Sequence, residues 1–423
     1  MSASALSRWI LAFDRWLTAR RVRAQAIMLA VVWWGFCAFD YASPGLFDRA
    51  GNLKFQDFIQ FPITAQLIAQ GRTDQLYNDR ALADGIAQIV GHPTTIYLRY
   101  FYGPQVALPF VLLRHLSFLE QAEIWVVFSL LIYFACICLL WRTCDGLRDS
   151  AGLVALCALA YPSVFHFFVR GQISALPLLF VTLGYLAFRA RREWIAGIAL
   201  GMLAFKPQFL VAIPVVLLLA KAWKPFAGLV VSASAQLALM LAAFGPAVMR
   251  AYFRMLLHSA EQPGTTELRL SPIQMHSLRD FWLLLIPWSS RIPTTTVWAL
   301  YALSSLAVIA MAVAVWRSSS PLALRYPTLL LAAVLVNPHI YIYDLLALAP
   351  ALLLLADWAI AHASDASARA LRTGVYLAFL LPMFGPVARW THLQLSVVAF
   401  AAILWTLFRR RNDVARTPSP AVS

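Results

Sequence analysis

The sequence predicts an all-α polytopic membrane protein, and three observations carry that prediction. Of 423 residues, 61% are hydrophobic and only 13% are charged, against about half and about a quarter in ordinary soluble domains. Apolar runs recur from Ala24 to Phe408 with few charges inside them, the mark of helices that satisfy their own backbone groups in lipid. The basic residues, which give a net charge of +15, fall in short clusters between those runs. That placement suits membrane topology better than nucleic acid.

Four clusters set the orientation. Arg20, Arg21 and Arg23; Arg189, Arg191 and Arg192; Lys221 and Lys224; and Arg409, Arg410 and Arg411 all fall on the cytoplasmic side under the positive-inside rule. Both ends of the chain are then cytoplasmic, as residues 1–24 and 409–423. Spans fit at 25–42, 122–141, 151–169, 172–188, 194–206, 207–223, 226–244, 293–316, 323–337, 344–360, 373–388 and 393–408, about twelve by length. They form one membrane domain over 25–408. No cleavable signal peptide is evident, because the basic start leads straight into a span. Residues 104–118 are short and interrupted by Arg114 and His115. A crossing there would put the Arg189–Arg192 cluster outside, so they read as a juxtamembrane or partly inserted helix.

This topology leaves two sizeable outer loops, 43–103 and 245–292. The first holds two helical patterns, Asp57–Ala69 and Asp79–Val90, separated by Gly71 and Arg72–Asp74. Phe58, Phe61, Ile63, Leu67 and Ile68 give the first of these an apolar face that leans toward lipid. The tail from Asn412, with its Pro and Ser residues, reads as disordered. No internal repeat supports a transporter built from inverted halves.

The same topology gathers polar residues on the outer face. Asp57 heads an amphipathic run. It reads equally as a helix N-cap and as a general base that takes a proton from an attacking hydroxyl. Lys206, at the corner Lys206-Pro207-Gln208 of two short apolar helices, needs an anion, and a phosphate is the natural one. Its alternative is to snorkel outward. Tyr97, Arg99, Tyr100 and Tyr102 precede Gly103-Pro104; Tyr97 reads best as part of an aromatic belt, while Arg99 suits a phosphate or a lipid headgroup. Gln172, after Gly171, marks a tight turn or bonds a sugar. His339 and Asp344 suggest a metal or an acid–base pair, but a polar helix start explains them better, since no third ligand stands at clear spacing. His276 reads as a loop histidine.

Five cysteines lie in or beside apolar runs, so disulfides and zinc are not expected. The absence of a Walker loop disfavours ATP-driven transport, and neither a G-x-S-x-G elbow nor a dinucleotide fingerprint occurs.

In order, these motifs resemble glycosyltransferase family 87: Asp57, Ala65, Ile68, Gly71, Leu76 and Tyr77; then Tyr100 to Pro104; Gly171-Gln172; Lys206 to Gln208; and Asn337 to Asp344. The resemblance spans roughly 25–408. It implies a GT-C-type membrane fold and a polyprenyl-phosphate-mannose-dependent enzyme. The implied reaction is an inverting hexose transfer to a lipid or glycan acceptor on the extracytoplasmic face of a bacterial-type inner membrane. By the same resemblance Asp57 is the base, Lys206 sits near the donor phosphate, and His339 and Tyr343 line the cavity. Gln208 departs from the aliphatic or polar residue often found after the family's K-P pair. Tyr100, Tyr102, Gln172, Gln208, His276 and Asp344 complete the expected cavity, with Arg99 a second phosphate ligand. No metal or other cofactor is expected, because phosphate is already a good leaving group and a cation can stabilise it. The competing function is a transporter or flippase for a lipid-linked glycan or small solute. A lipid-carrier-binding relative without activity is a third.

Overall fold

The computed structural model describes residues 3–94, 96, 98–261, 272–286 and 294–414. Among them the chain is helical, with two isolated bridges in place of any sheet. The N-terminal amphipathic helix α1 (Ala3–Trp16) leads into α2 (Ala19–Tyr41), which Thr18 caps by accepting from Arg21 N–H. The first loop follows with α3 (Gln60–Ala69) and α4 (Asp79–Val90), the latter capped by Asn78 and ended by Gly91. The second helix falls where the apolar spacing puts it, whereas the first begins at Gln60 rather than Asp57, after a 3-10 turn over Gln56–Ile59.

Next come α5 (Leu108–Val111) and α6 (Phe118–Trp141), then α7 (Ala151–Ala160) and α8 (Pro162–Arg170), which meet at a 46° bend. The bundle continues with α9 (Ala175–Arg189), α10 (Glu193–Gly201), α11 (Ile213–Leu219) and α12 (Trp223–Glu261). It closes with α13 (Leu278–Leu285), α14 (Thr294–Trp316), α15 (Leu322–Leu335), α16 (Ala349–Ala361), α17 (Ala366–Leu380), α18 (Ala388–Thr391) and α19 (Leu395–Val414).

Six stretches of the described residues are long and apolar enough to cross a bilayer, or seven if α7 and α8 make one bent span. Four shorter apolar helices accompany them: Ala175–Arg189, Glu193–Phe205, Pro207–Leu219 and Leu322–Leu335. Large apolar side chains stand exposed along the long helices, among them Val31 on α2, Leu131 on α6, Leu239 on α12 and Leu303 on α14. Such a surface is intolerable in water and natural in lipid. The chain is a multi-pass membrane protein.

Several expectations meet a different structure. Between Gly103 and Ser117 there is only a 3-10 turn, Pro104–Ala107, followed by the single α-turn of α5. These residues rise roughly 14 Å, far short of the about 30 Å of a hydrocarbon core. Helix α12 is interrupted where the second loop was expected to begin, but the loop's first residues are helical. It breaks at Gly245 (φ 77°) before Pro246 and resumes to Glu261.

Third, the apolar face of α3 is not turned to lipid. Phe58 and Phe61 are fully buried, and Ile63 and Leu67 nearly so. They pack with Tyr100, Phe110 and Trp125 into a core of their own, because α5 and α6 cover that face. The tail was expected to be disordered from Asn412, but 412–414 continue α19 as helix; the rest of the tail and the belt role of Tyr97 lie outside the described residues.

Among the described residues two large apolar cores stand beside two small clusters. One large core belongs to the first loop and the start of α6; the other fills the bundle around α9, α11, α15 and α16. Phe205 belongs to the first and Phe209 to the second, and Ile173 and Leu178 divide likewise. Lys206, Gln172 and Ser174 therefore lie on the seam.

Candidate active site

Asp57 sits in a 3-10 turn, Gln56–Ile59, entered through Phe55 in the left-handed region (φ 51°). Its carboxylate caps no helix. Phe55 precedes the turn, and the side-chain cap hydrogen bond is missing both there and at Ile59, before α3. Two side chains hold it instead. Gln172 Nε2 donates to Oδ2 at 2.8 Å, and Arg170 Nη1 approaches Oδ1 at 3.5 Å. Capping, an equal reading from sequence, gives way to tertiary partners.

Those partners come from the end of α8. Gly171 follows in the left-handed conformation (φ 67°), which ends α8 and turns the chain toward α9. A Cβ at 171 would stand 2.7 Å from Phe58 Cβ and 3.1 Å from Phe55 Cβ. Only glycine lets the Asp57 turn rest directly on this corner.

Lys206 ends the 3-10 turn after α10, and Pro207 prevents the helix from continuing. Its ammonium is enclosed: the side chain is 4% exposed and that of its partner Asp344 is 2% exposed. Nζ meets Asp344 Oδ1 at 2.5 Å, and Ser174 Oγ donates to the same oxygen at 3.1 Å. The rings of Tyr102, Tyr343 and Phe209 surround the ammonium at 5.5, 5.6 and 5.9 Å, a distance at which aromatic faces attract a cation. The anion that Lys206 requires is thus supplied by the chain itself. Ser174 was not legible from the sequence.

Tyr102 joins the two carboxylate centres. Its hydroxyl donates to Gln172 Oε1 at 2.9 Å while its ring faces Lys206. Burial, with Asp344 and Asp57 nearby, pushes this phenol well above its ordinary value, so it stays a donor. Tyr77 OH holds the Tyr102 carbonyl at 2.9 Å, and Gly103 N–H bonds Phe205 O at 3.3 Å. The first loop is in this way tied to the Lys206 corner.

The remaining expected residues divide. Tyr100 is buried among Phe61, Tyr77 and Tyr102 as part of the first-loop core. Arg99 turns to α4, donating from Nε and Nη2 to Asp79 Oδ2 at 3.2 and 3.1 Å. Gln208 is half-buried in the turn after Lys206.

His339 and Asp344 do not pair. The imidazole packs edge-on to Tyr341 and beside Phe101 at 4.9 and 5.9 Å, while Asn337 Oδ1 accepts from its backbone N–H. Burial, Arg279 and Lys206 lower His339 to about 4, so the ring is neutral. Tyr341 and Tyr343 stack at 5.2 Å next to it.

His276 is fully buried. Its backbone N–H bonds Ile340 O at 3.0 Å, and Nδ1 lies 2.7 Å from Ser396 Oγ. It fastens the second loop to the Asn337–Asp344 segment and to α19. Among the described residues no group of three His, Cys, Asp or Glu side chains is placed to hold a metal.

The arrangement is a pair of acid–base contacts, Asp57–Arg170 and Lys206–Asp344, bridged by Gln172 and Tyr102. Arg170 is the cation the sequence reading passed over. Its signal was present: a lone arginine at the end of an apolar run, directly before Gly171-Gln172.

The model of glycosyltransferase family 87 matches residues 100–338, more than half of the chain. The protein belongs to glycosyltransferase family 87. It is a membrane glycosyltransferase, so a sugar donor and an acceptor are its substrates. The family match takes in Tyr102, Arg170, Gln172, Ser174, Lys206 and His276, whereas Asp57 and Asp344 lie to either side of it. No curated protein and no solved structure matches this chain.

Proposed function

We propose that this family 87 enzyme transfers a hexose, mannose in the simplest case, from a polyprenyl-phosphate donor to a lipid or glycan acceptor with inversion. The observation that carries the proposal is Asp57. It is a nearly buried carboxylate with one oxygen held by Gln172 and the other only loosely approached by Arg170. A carboxylate so held is ready to accept a proton and is poorly explained as a surface group.

In the reaction the acceptor hydroxyl attacks the anomeric carbon as its proton passes to Asp57. The new carbon–oxygen bond forms on one face while the bond to phosphate breaks on the other. The donor leaves as polyprenyl phosphate. Positive charge near the departing phosphate lowers the barrier. Arg170, the more open of the two cations, supplies it, while Lys206, whose charge is met by Asp344 and Ser174, steadies the corner beside it. Arg99, tied to Asp79, takes a structural part in this reading. No metal is required for such a leaving group.

The outer face of the inner membrane suits the reading. The basic clusters of α2, α9 and α19 stand at the helix ends opposite the site, and Lys221 lies beyond the far end of α11. By the positive-inside rule the site is then extracytoplasmic.

The test is direct. Purified protein is incubated with a radiolabelled polyprenyl-phosphate hexose and candidate lipid acceptors, alongside Asp57→Asn. Wild type transfers label, and Asp57→Asn slows transfer by about 10²- to 10⁴-fold, the usual worth of a general base. Equal transfer by the two removes Asp57 from the role. No transfer by either, with labelled lipid moved across vesicles instead, favours a flippase.

A further inference from the structure

Gln172 has a part that the reaction as drawn does not use. The side chain is 3% exposed, and both ends of its amide are engaged. A carboxamide can be turned end for end at little cost unless its neighbours distinguish oxygen from nitrogen. Here they do. The Tyr102 hydroxyl, kept protonated by burial, presents hydrogen to Oε1. That leaves the NH₂ group facing Asp57 Oδ2 at 2.8 Å.

The backbone is equally fixed. Trp125 Nε1 donates to Gln172 O at 3.4 Å, and Gly171 lets the Asp57 turn lie against this corner. One oxygen of Asp57 is thereby committed, and Oδ1 is turned to the side of Arg170, whose side chain is 35% exposed.

We propose that Gln172, oriented by Tyr102, is a positioning residue that presents Oδ1 of Asp57 to the acceptor hydroxyl. The proposal rests on Asp57 being the general base. Gln172 donates no proton and touches no reacting atom; it acts through the carboxylate. The charged and titratable groups that face Asp57 are Arg170 from α8, Tyr102 from the first loop and Tyr343 after α15. Gln172 is the uncharged member of the set, so its removal changes the carboxylate's hydrogen bonding without changing the local charge.

The experiment reads Asp57 without any substrate. Full-length protein in detergent is treated with a hydrophobic carbodiimide across a pH series, and modification of Asp57 is followed by mass spectrometry. The reagent attacks protonated carboxyls. Gln172→Leu frees Oδ2 from its N–H partner, so Asp57 is labelled faster than in wild type across the series. In the transfer assay its kcat falls by about ten- to a hundredfold, the scale of a misplaced catalytic group, with the donor KM unchanged.

Tyr102→Phe keeps Gln172 but frees its amide to turn, and shifts both readouts in the same direction by less. It carries the test if Gln172→Leu fails to fold. A labelling rate that stays at the wild-type value in the folded variants overturns the proposal, whatever happens to kcat. Failure of the base reading appears separately, as full transfer by Asp57→Asn.

Discussion

Lys206 and Asp344 illustrate what one residue pair can cost. Each is nearly sealed from solvent, and each makes the other tolerable there. Breaking a buried pair by removing one partner typically costs about 3–5 kcal/mol, because the surviving charge is stranded. Lys206→Met is therefore expected to lower unfolding stability in detergent by about that much, while Lys206→Met with Asp344→Leu recovers most of it.

His276 adds a pH dependence. Burial and the nearby His166 lower it to about 3, so between about 6.5 and 3 the unfolded chain binds a proton that the folded chain refuses. Stability from this group is complete above pH 6.5 and declines as pH falls, by about 1.4 kcal/mol per pH unit. Asp280 works in the opposite sense. Burial raises it to about 6, so the folded state gains stability from it as pH falls from 6 toward 4. The clean measurement is thus a difference. His276→Gln should flatten the loss of stability on acidification relative to wild type, in denaturant titrations at pH 7 and pH 5.

At the scale of elements, glycine decides two contacts. Helices α10 and α12 touch through Gly197, Gly201 and Gly228. A Cβ at these positions would meet Pro225 O at 2.1 Å, Leu229 O at 2.5 Å and Trp194 O at 2.4 Å. Gly197 and Gly201 are four apart and share one face of α10, the small-residue spacing that lets membrane helices approach closely. Gly201→Leu should separate the pair and lower the temperature at which the detergent-solubilised protein aggregates.

Gly171 is the other contact. Gly171→Ala imposes a strained φ and pushes against Phe58, moving the Asp57 turn off Gln172. The expected outcome is a loss of transfer activity larger than any loss of thermal stability, measured on the same preparation. The first-loop helices show how far pattern reaches. Asp79–Val90 was legible to the residue because Asn78 caps it and Gly91 ends it. The face of α3 was misread because apolar spacing shows which residues avoid water, and is silent on whether lipid or protein takes its place.

On the scale of the whole molecule, the first loop is a structural body with its own core, docked on the bundle along a seam that carries the site. The polar side chains come from the turn before α3, the α8–α9 corner, the α10–α11 corner and the start of the segment before α16. Orientation is checked with a cysteine-free variant carrying single cysteines at two exposed positions. Asp74→Cys should react with an impermeant reagent from outside intact cells, and Asp149→Cys only after the membrane is opened. The reverse pattern would invert the topology and place the site on the cytoplasmic side.

Composition and the succession of apolar runs were enough to determine a helical, multi-pass membrane protein. Five short motifs, each weak alone, were enough to point to family 87. These features are local in sequence, because hydrophobicity and turn chemistry act over a few residues. The site was legible only as a set of isolated polar residues. That Asp57 bonds Gln172 rather than capping a helix, and that Lys206 meets Asp344 rather than waiting for phosphate, depended on segments 115 and 138 residues apart. Arg99 was diverted to Asp79 by the fold of the first loop. Partners brought together across such distances are chosen by packing, and only the tertiary structure makes that choice.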